Sequence, residues 1–295
     1  MTTSRSLLAL VTGATAGIGT VTARALAQQG YHVVLLARNA DKAARTRHEI
    51  QQLAWPGRRV DVLLCDLSDL AQVRRAAEEF SQRYGHLDVL VNNAGLVLGD
   101  KRQESNGGHE LTLATNHLGP FLLTSLLLEK LRQSPAARIV NVASMAYMFA
   151  KPDFETLEVA GKYSPMRAYA NSKLYNIMFT QELARRLRQQ GIRNVTTNSL
   201  HPGVVASSFG SGSTWLTRAF YKAAAPFMTS AEEGAQTSIY LATAPEVADI
   251  SGGYFVKKRP EAVKSGFNTL ENARRLWQCS EELTGTTFLA EAPGA

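Results

Sequence analysis

The stretch Thr12-Gly13-Ala14-Thr15-Ala16-Gly17-Ile18-Gly19 follows a short apolar run, Leu7 to Thr12, and opens an amphipathic segment, Gly17 to Gln29. A glycine-rich turn between a strand and a helix presents free backbone N–H groups and the positive end of the helix dipole, and together these hold a pyrophosphate. The glycines divide the work. One permits the turn, one lets the backbone approach phosphate oxygens, and one lets helix and strand pack closely. Surface turns also collect glycine for conformational reasons alone. The position between strand and helix is what makes this turn a dinucleotide-binding signal.

Outward from the turn, short β-branched runs alternate with stretches of helical length. The expected strands are Leu7 to Thr12, Tyr31 to Ala37, Arg59 to Cys65, Leu87 to Asn92, Arg138 to Ala143, Val195 to Leu200 and Gly253 to Val256. Helices are expected at Gly17 to Gln29, Asp41 to Leu53, Leu70 to Arg83, Glu110 to Gln133, Met166 to Gln190, Ala231 to Ala242 and Leu270 to Leu283. Ser68 or Asp69 is placed to start the third helix, and Gly30, Gly85 and Gly191 stand where a left-handed C-terminal residue is wanted. This order predicts an α/β fold: a Rossmann-type, doubly wound parallel sheet of about seven strands with helices on both faces.

With 295 residues, 45% of them apolar, the chain can bury one sizeable core, so a single domain over residues 1–295 is expected. The net charge of +7 raises the question of an anionic partner. Arg74, Arg75, Arg185, Arg186 and Arg188 stand beside Glu78, Glu79 or Glu182, the pattern of a solvated helix face, and no nucleic-acid partner is expected. Cys65 and Cys279 are the only cysteines, too few for a disulfide framework or a thiolate zinc site, which points to a reducing compartment and a cytoplasmic protein. Met1 to Ser6 is polar and Leu7 to Val11 is too short to span a bilayer, so no membrane anchor is expected. The six histidines show no metal-ligand spacing, and no metal is expected.

The turn has three residues between its first two glycines and one between the last two, unlike the spacing of long-chain dehydrogenases. In this it resembles the short-chain dehydrogenase/reductase family. The resemblance continues through Cys65-Asp66-Leu67, Asn92-Asn93-Ala94-Gly95, Asn116, Ser144, Tyr169-Ala170-Asn171-Ser172-Lys173 and Pro202-Gly203, and so covers nearly the whole chain. Asn116-His117-Leu118-Gly119-Pro120-Phe121, the run from Glu233 to Leu241, and Ser280-Glu281-Glu282-Leu283-Thr284-Gly285 are similar to the retinol dehydrogenase-like, WW-domain oxidoreductase-like branch.

Tyr169 and Lys173 are four apart on an expected helix and share a face. An unperturbed tyrosine titrates near about pH 10, too high for ready proton exchange at neutral pH, and a nearby ammonium favours the phenolate. Ser144 ends the fifth strand, and ligand sites in open α/β sheets lie outside the carboxyl ends of strands. As hydride reaches a carbonyl carbon, negative charge develops on its oxygen, where donors from Ser144 and Tyr169 would stabilise it. The resemblance implies that Lys173 also binds the nicotinamide ribose and that Asn116 holds a proton relay to solvent. A buried amide at Asn116 can equally serve the backbone alone.

For the cofactor, the residues expected to line the site are Gly13, Thr15, Ala16, Gly17, Ile18 and Gly19 in the turn, with Arg38 and Asn39 after the second strand. Where an NAD enzyme commonly places an acid for the ribose 2′-hydroxyl, this chain has Arg38, whose guanidinium can pair with a 2′-phosphate. NADP(H) is therefore expected over NAD(H). The resemblance further implies that Asp66 and Leu67 bind the adenine side, Asn93, Ala94 and Gly95 shape the adjacent wall, and Pro202, Gly203, Val204 and Ser207 meet the nicotinamide carboxamide, together with Tyr169 and Lys173.

The expected reaction moves a hydride between nicotinamide and a carbonyl or alcohol substrate, with a lipophilic substrate suggested by the branch. A cofactor-sensing protein without turnover is the alternative, against which the set Asn116, Ser144, Tyr169 and Lys173 argues. Between residues 205 and 230, Phe209, Trp215, Leu216, Phe220, Tyr221, Phe227 and Met228 suit either a lid over an apolar pocket or an ordinary packed helix pair. Met145 to Ala168 separates Ser144 from Tyr169 and stands ready to overhang the site. It also leaves a homo-oligomer and a monomer both open.

Overall fold

Runs of β-branched and aliphatic residues bounded by turns form strands buried on both faces, and they do so here in the order the sequence dictates. The computed structural model describes residues 5–159, 161–203 and 229–291. Its strands are β1 (Leu8–Thr12), β2 (His32–Ala37), β3 (Val60–Leu64), β4 (Val89–Asn92), β5 (Ala137–Val142), β6 (Val195–His201), β7 (Tyr254–Val256) and β8 (Arg259–Pro260). They form one sheet in the order β3-β2-β1-β4-β5-β6-β7-β8. Every described pairing is parallel except β7 with β8. Among the described residues the sheet thus has eight strands rather than about seven. The extra one is a two-residue antiparallel return, too short to leave a periodic signal.

Eight α-helices cover the sheet among the described residues: α1 (Gly17–Gln28), α2 (Ala40–Leu53), α3 (Leu70–Arg83), α4 (Leu111–Leu113), α5 (Gly119–Arg132), α6 (Pro165–Gln189), α7 (Ala231–Thr243) and α8 (Leu270–Thr284). Their starts follow the capping rule: Asn39, Asp69, Ser164, Ser230 and Thr269 each accept a backbone N–H of the helix that follows. Of the two candidates for α3, Asp69 is the cap. Gly30 and Gly191 end α1 and α6 with positive φ, as expected, but Gly85 does not. There α3 stops on Tyr84 in an extended conformation, so no left-handed residue is needed.

The expected helix Glu110 to Gln133 is interrupted. Between α4 and α5 the chain makes a π turn, Ala114–Leu118, which inserts an extra residue into the helical ladder. The segment Leu111–Arg132 is long and apolar enough to cross a membrane, but 83% of its most apolar window is buried inside the fold, as in a core helix.

Alternation along β1 sends Leu8 and Leu10 into one core layer and Ala9 and Val11 into the other. The first layer collects Phe80 of α3, Phe121 of α5, Phe179 of α6 and Trp277 of α8; the second collects Leu26 of α1, Ile50 of α2 and Leu241 of α7. Because β1 lies between β2 and β4, the strand order reverses at β1, and a crevice opens beyond the carboxyl ends of β1 and β4.

Candidate active site

The turn after β1 leads into that crevice. Gly13 and Gly17 adopt positive φ, and Gly19 has no room for a side chain: a Cβ there would stand 2.3 Å from the Gly13 carbonyl oxygen and 2.5 Å from Asn93 Nδ2. Asn93 Nδ2 donates to the Thr12 carbonyl at 2.9 Å, and the backbone N–H groups of Asn93 and Ala94 both donate to Thr12 Oγ1, at 3.0 and 2.9 Å. These bonds lock the ends of β1 and β4 together. Thr12 is a site-building residue that motif spacing does not reveal, because its partners are distant in sequence.

Helix α1 begins without a side-chain cap, unlike α2, α3, α6, α7 and α8. Ala16, at its N-cap, makes no side-chain cap, and its first turn carries no acid. Ala16 is exposed and Thr15, Gly17 and Ile18 are half-buried. Uncapped N–H groups beside a close-packed glycine turn suit a pyrophosphate, so the residues present fit a dinucleotide.

At the neighbouring strand ends, Arg38 is exposed after β2, and Asn39, expected at the cofactor, accepts Lys42 N–H at 2.9 Å as the cap of α2. Asp66 accepts from Ser68 N–H at 2.9 Å and from Ser68 Oγ at 2.7 Å, which fixes the turn after β3. Leu67 packs against the start of α5: a Cβ on Gly119 would lie 2.3 Å from the Leu67 carbonyl oxygen, so only glycine allows this approach.

Deeper in the crevice, Gly95, Asn116 and Lys173 meet. A Cβ on Gly95 would lie 3.3 Å from Lys173 Nζ and 3.4 Å from Asn116 Oδ1. Asn116 sits on the π turn, fully buried, and every polar atom of its amide is used. Its Oδ1 accepts Leu96 N–H at 2.8 Å, while Nδ2 donates to the Leu96 carbonyl and to Ser172 Oγ, both at 3.0 Å. Ser172 in turn donates to the Tyr169 carbonyl at 2.8 Å. Asn116 thus serves the backbone of Leu96 and is linked through Ser172 to the helix that carries Tyr169 and Lys173.

Lys173 Nζ lies 5.5 Å from the centroid of the Tyr169 ring and donates to the Val142 carbonyl at 3.0 Å. Burial pushes its ammonium down to about 8. The bond to Val142 ties α6 to the end of β5, two residues before Ser144. Ser144 is half-buried, and its Oγ accepts Ala146 N–H at 3.2 Å at the head of a 3₁₀ turn, Met145–Phe149. His201, at the end of β6, accepts Met145 N–H on Nδ1 at 3.3 Å. Burial depresses this imidazole to about 4, so it stays a neutral acceptor holding the Ser144 segment. Sequence reading placed no role on His201.

After β6, Gly203 has φ 92°, and a Cβ there would stand 2.9 Å from Thr229 Oγ1. Val204, Ser207 and the aromatic run from Phe209 to Met228 lie outside the described residues. Among those described, no group of three His, Cys, Asp or Glu is arranged to hold a metal ion.

A family described as short chain dehydrogenase matches residues 7–214. The chain is 40% identical over 281 residues to retinol dehydrogenase 11 of Mus musculus, covering 94% of this chain and 86% of that protein. It is 40% identical over 276 residues to retinol dehydrogenase 12 of Homo sapiens, covering 94% and 85%. Among solved structures, an uncharacterized protein from Mycobacterium paratuberculosis superposes with a TM-score of 0.75 at 31% identity over 96% of this chain and 94% of that one. A short chain dehydrogenase from Burkholderia cenocepacia, solved in complex with NADP, gives a TM-score of 0.65 at 28% identity over 84% and 94%.

Proposed function

The chain belongs to the short-chain dehydrogenase family and is an oxidoreductase, and from that premise we propose an NADP(H)-dependent enzyme acting on the carbonyl or alcohol group of a lipophilic small molecule. The observation that carries this reading is the meeting of Lys173 and Asn116 at Gly95, with the Tyr169 ring 5.5 Å from Lys173 Nζ and Ser144 two residues beyond Val142, whose carbonyl accepts from Lys173. The nicotinamide supplies or accepts the hydride when bound. In the direction of reduction, Tyr169 gives its phenolic proton to the substrate oxygen, and Ser144 donates a hydrogen bond to the same atom. Lys173 favours the phenolate left behind, and Asn116 anchors the route by which the proton is replaced.

Preference for NADP(H) is supported by Arg38, exposed at the carboxyl end of β2 without an acid beside it in the chain. A 2′-phosphate gains a bidentate partner there, whereas a carboxylate would repel it. The Burkholderia relative was solved with NADP. A lipophilic substrate is supported by the retinol dehydrogenases among the relatives and by the segment between Ser144 and Tyr169. On it Met145, Met148, Phe149 and Met166 are all exposed, an uncommon concentration of large apolar side chains next to a polar reacting centre. Following NADPH oxidation with short and long aldehydes and ketones tests the proposal. Turnover that improves with apolar chain length supports it; no turnover with any carbonyl contradicts it.

A further inference from the structure

Two sequence segments given no part in the reaction so far, the run from His117 to Phe121 and the run from Ser280 to Gly285, touch through one buried hydrogen bond. His117 Nε2 and Ser280 Oγ lie 2.8 Å apart, and both side chains are excluded from solvent. Ser280 Oγ spends its single hydrogen on the Leu276 carbonyl at 2.7 Å, so it accepts from His117, and the imidazole must carry its hydrogen on Nε2. Complete burial keeps the ring neutral, with its titration pushed down to about 4. Tyr175 and Phe179 of α6 and Phe121 of α5 close around it, with ring centroids 5.5 to 6.3 Å away, so its orientation is fixed on every side.

His117 follows Asn116 directly on the π turn Ala114–Leu118. A π turn is intrinsically less favourable than the α-helix it interrupts and persists only where surrounding contacts over-determine it. The Asn116 amide holds one side of this turn through Leu96 and Ser172; His117 holds the other through α8. We infer that His117 and Ser280 are positioning residues, through which the C-terminal helix sets the backbone of the π turn and so the placement of Asn116 in the proton route. The bond needs no change of charge to do this. It acts as a fixed strut from α8 to the reacting centre.

The inference rests on the assignment of Asn116 to the site, and the test separates the two. Ser280→Ala removes the acceptor; His117→Phe keeps an aromatic ring, removes the donor and leaves Ser280 bonded to Leu276. Thr284→Val is the control on the same helix, since its hydroxyl donates only within α8. Each variant is assayed below its own melting temperature for kcat, KM, NADPH affinity and the solvent deuterium isotope effect on kcat. Both Ser280→Ala and His117→Phe should lower kcat about tenfold or more, leave KM and NADPH affinity within about twofold, and raise the isotope effect as proton transfer becomes limiting. Thr284→Val should lower only the melting temperature. Parental kcat and isotope effect in either folded linking variant, or an equal loss of kcat in Thr284→Val, overturns the positioning role. Parental turnover in Asn116→Ala would instead overturn the assignment of Asn116 and leave the strut without a target.

Discussion

Lys173 Nζ stands 5.5 Å from the centre of the Tyr169 ring while its hydrogen bond to the Val142 carbonyl fastens it to the end of β5. The same ammonium that favours a phenolate is thus buried, with a relative exposure of 2%. A charge kept from water at such cost is expected where chemistry needs it and folding does not.

That cost gives the first prediction. Lys173→Met should abolish turnover and yet raise the unfolding free energy of the cofactor-free protein at pH 7, by on the order of 1–3 kcal/mol. The pH dependence follows from the lowered titration of Lys173, about 8 in the fold against 10.5 in its ordinary state. Between those values the folded state has released its proton while the unfolded state keeps it, so the parent gains stability as pH rises. The advantage of Lys173→Met should therefore be full below pH 8 and shrink toward pH 10. Denaturant titrations across that range check it, and a variant less stable than the parent at pH 7 contradicts it.

Thr12→Val should weaken both stability and cofactor binding. The replacement is nearly isosteric, but it leaves the N–H groups of Asn93 and Ala94 without the oxygen they share. Asn93 N–H keeps the Val91 carbonyl at 3.0 Å, but stranding Ala94 N–H costs about 1–3 kcal/mol, less what water recovers at this half-buried turn. A drop in melting temperature together with weaker NADPH binding is the expected outcome of thermal scans with and without cofactor. Unchanged binding would mean that the β4 turn does not shape the cofactor wall.

Arg38→Asp should cost about ten- to hundredfold in NADPH affinity, the worth of one charge-assisted contact, while NADH binding holds or improves. Fluorescence titration of both nucleotides on parent and variant measures it. Tighter NADH than NADPH binding by the parent would remove Arg38 from the site.

Much of this was legible in the sequence because it depends on local order. Buried strands announce themselves as apolar runs, Leu70 to Arg83 shows a helical period, and Asp69 and Gly191 are caps by residue type. The glycine turn and the Tyr169–Lys173 spacing are equally local. What escaped depends on contacts across the chain. The π turn at Ala114–Leu118 has the composition of the helix that contains it, and only the packing of Asn116 and His117 distinguishes it. Thr12, Ser172, His201 and Gly119 act on partners far away in sequence, so even the motifs that contain three of them do not show what they hold. Gly85 shows the reverse failure: a glycine in the expected place for a left-handed cap, where the helix has already ended on an extended Tyr84.

Tyr169 as the proton donor of a nicotinamide-dependent oxidoreductase is tested by steady-state NADPH oxidation by the parent and by Tyr169→Phe with the same aldehyde. The phenol-to-phenyl change removes one oxygen from a half-buried side chain, so fold and NADPH affinity should persist. Turnover should fall by about 10²–10⁴, the worth of a positioned general acid. Turnover in Tyr169→Phe within a few-fold of the parent, on protein that binds NADPH equally well, would exclude Tyr169 as the proton donor.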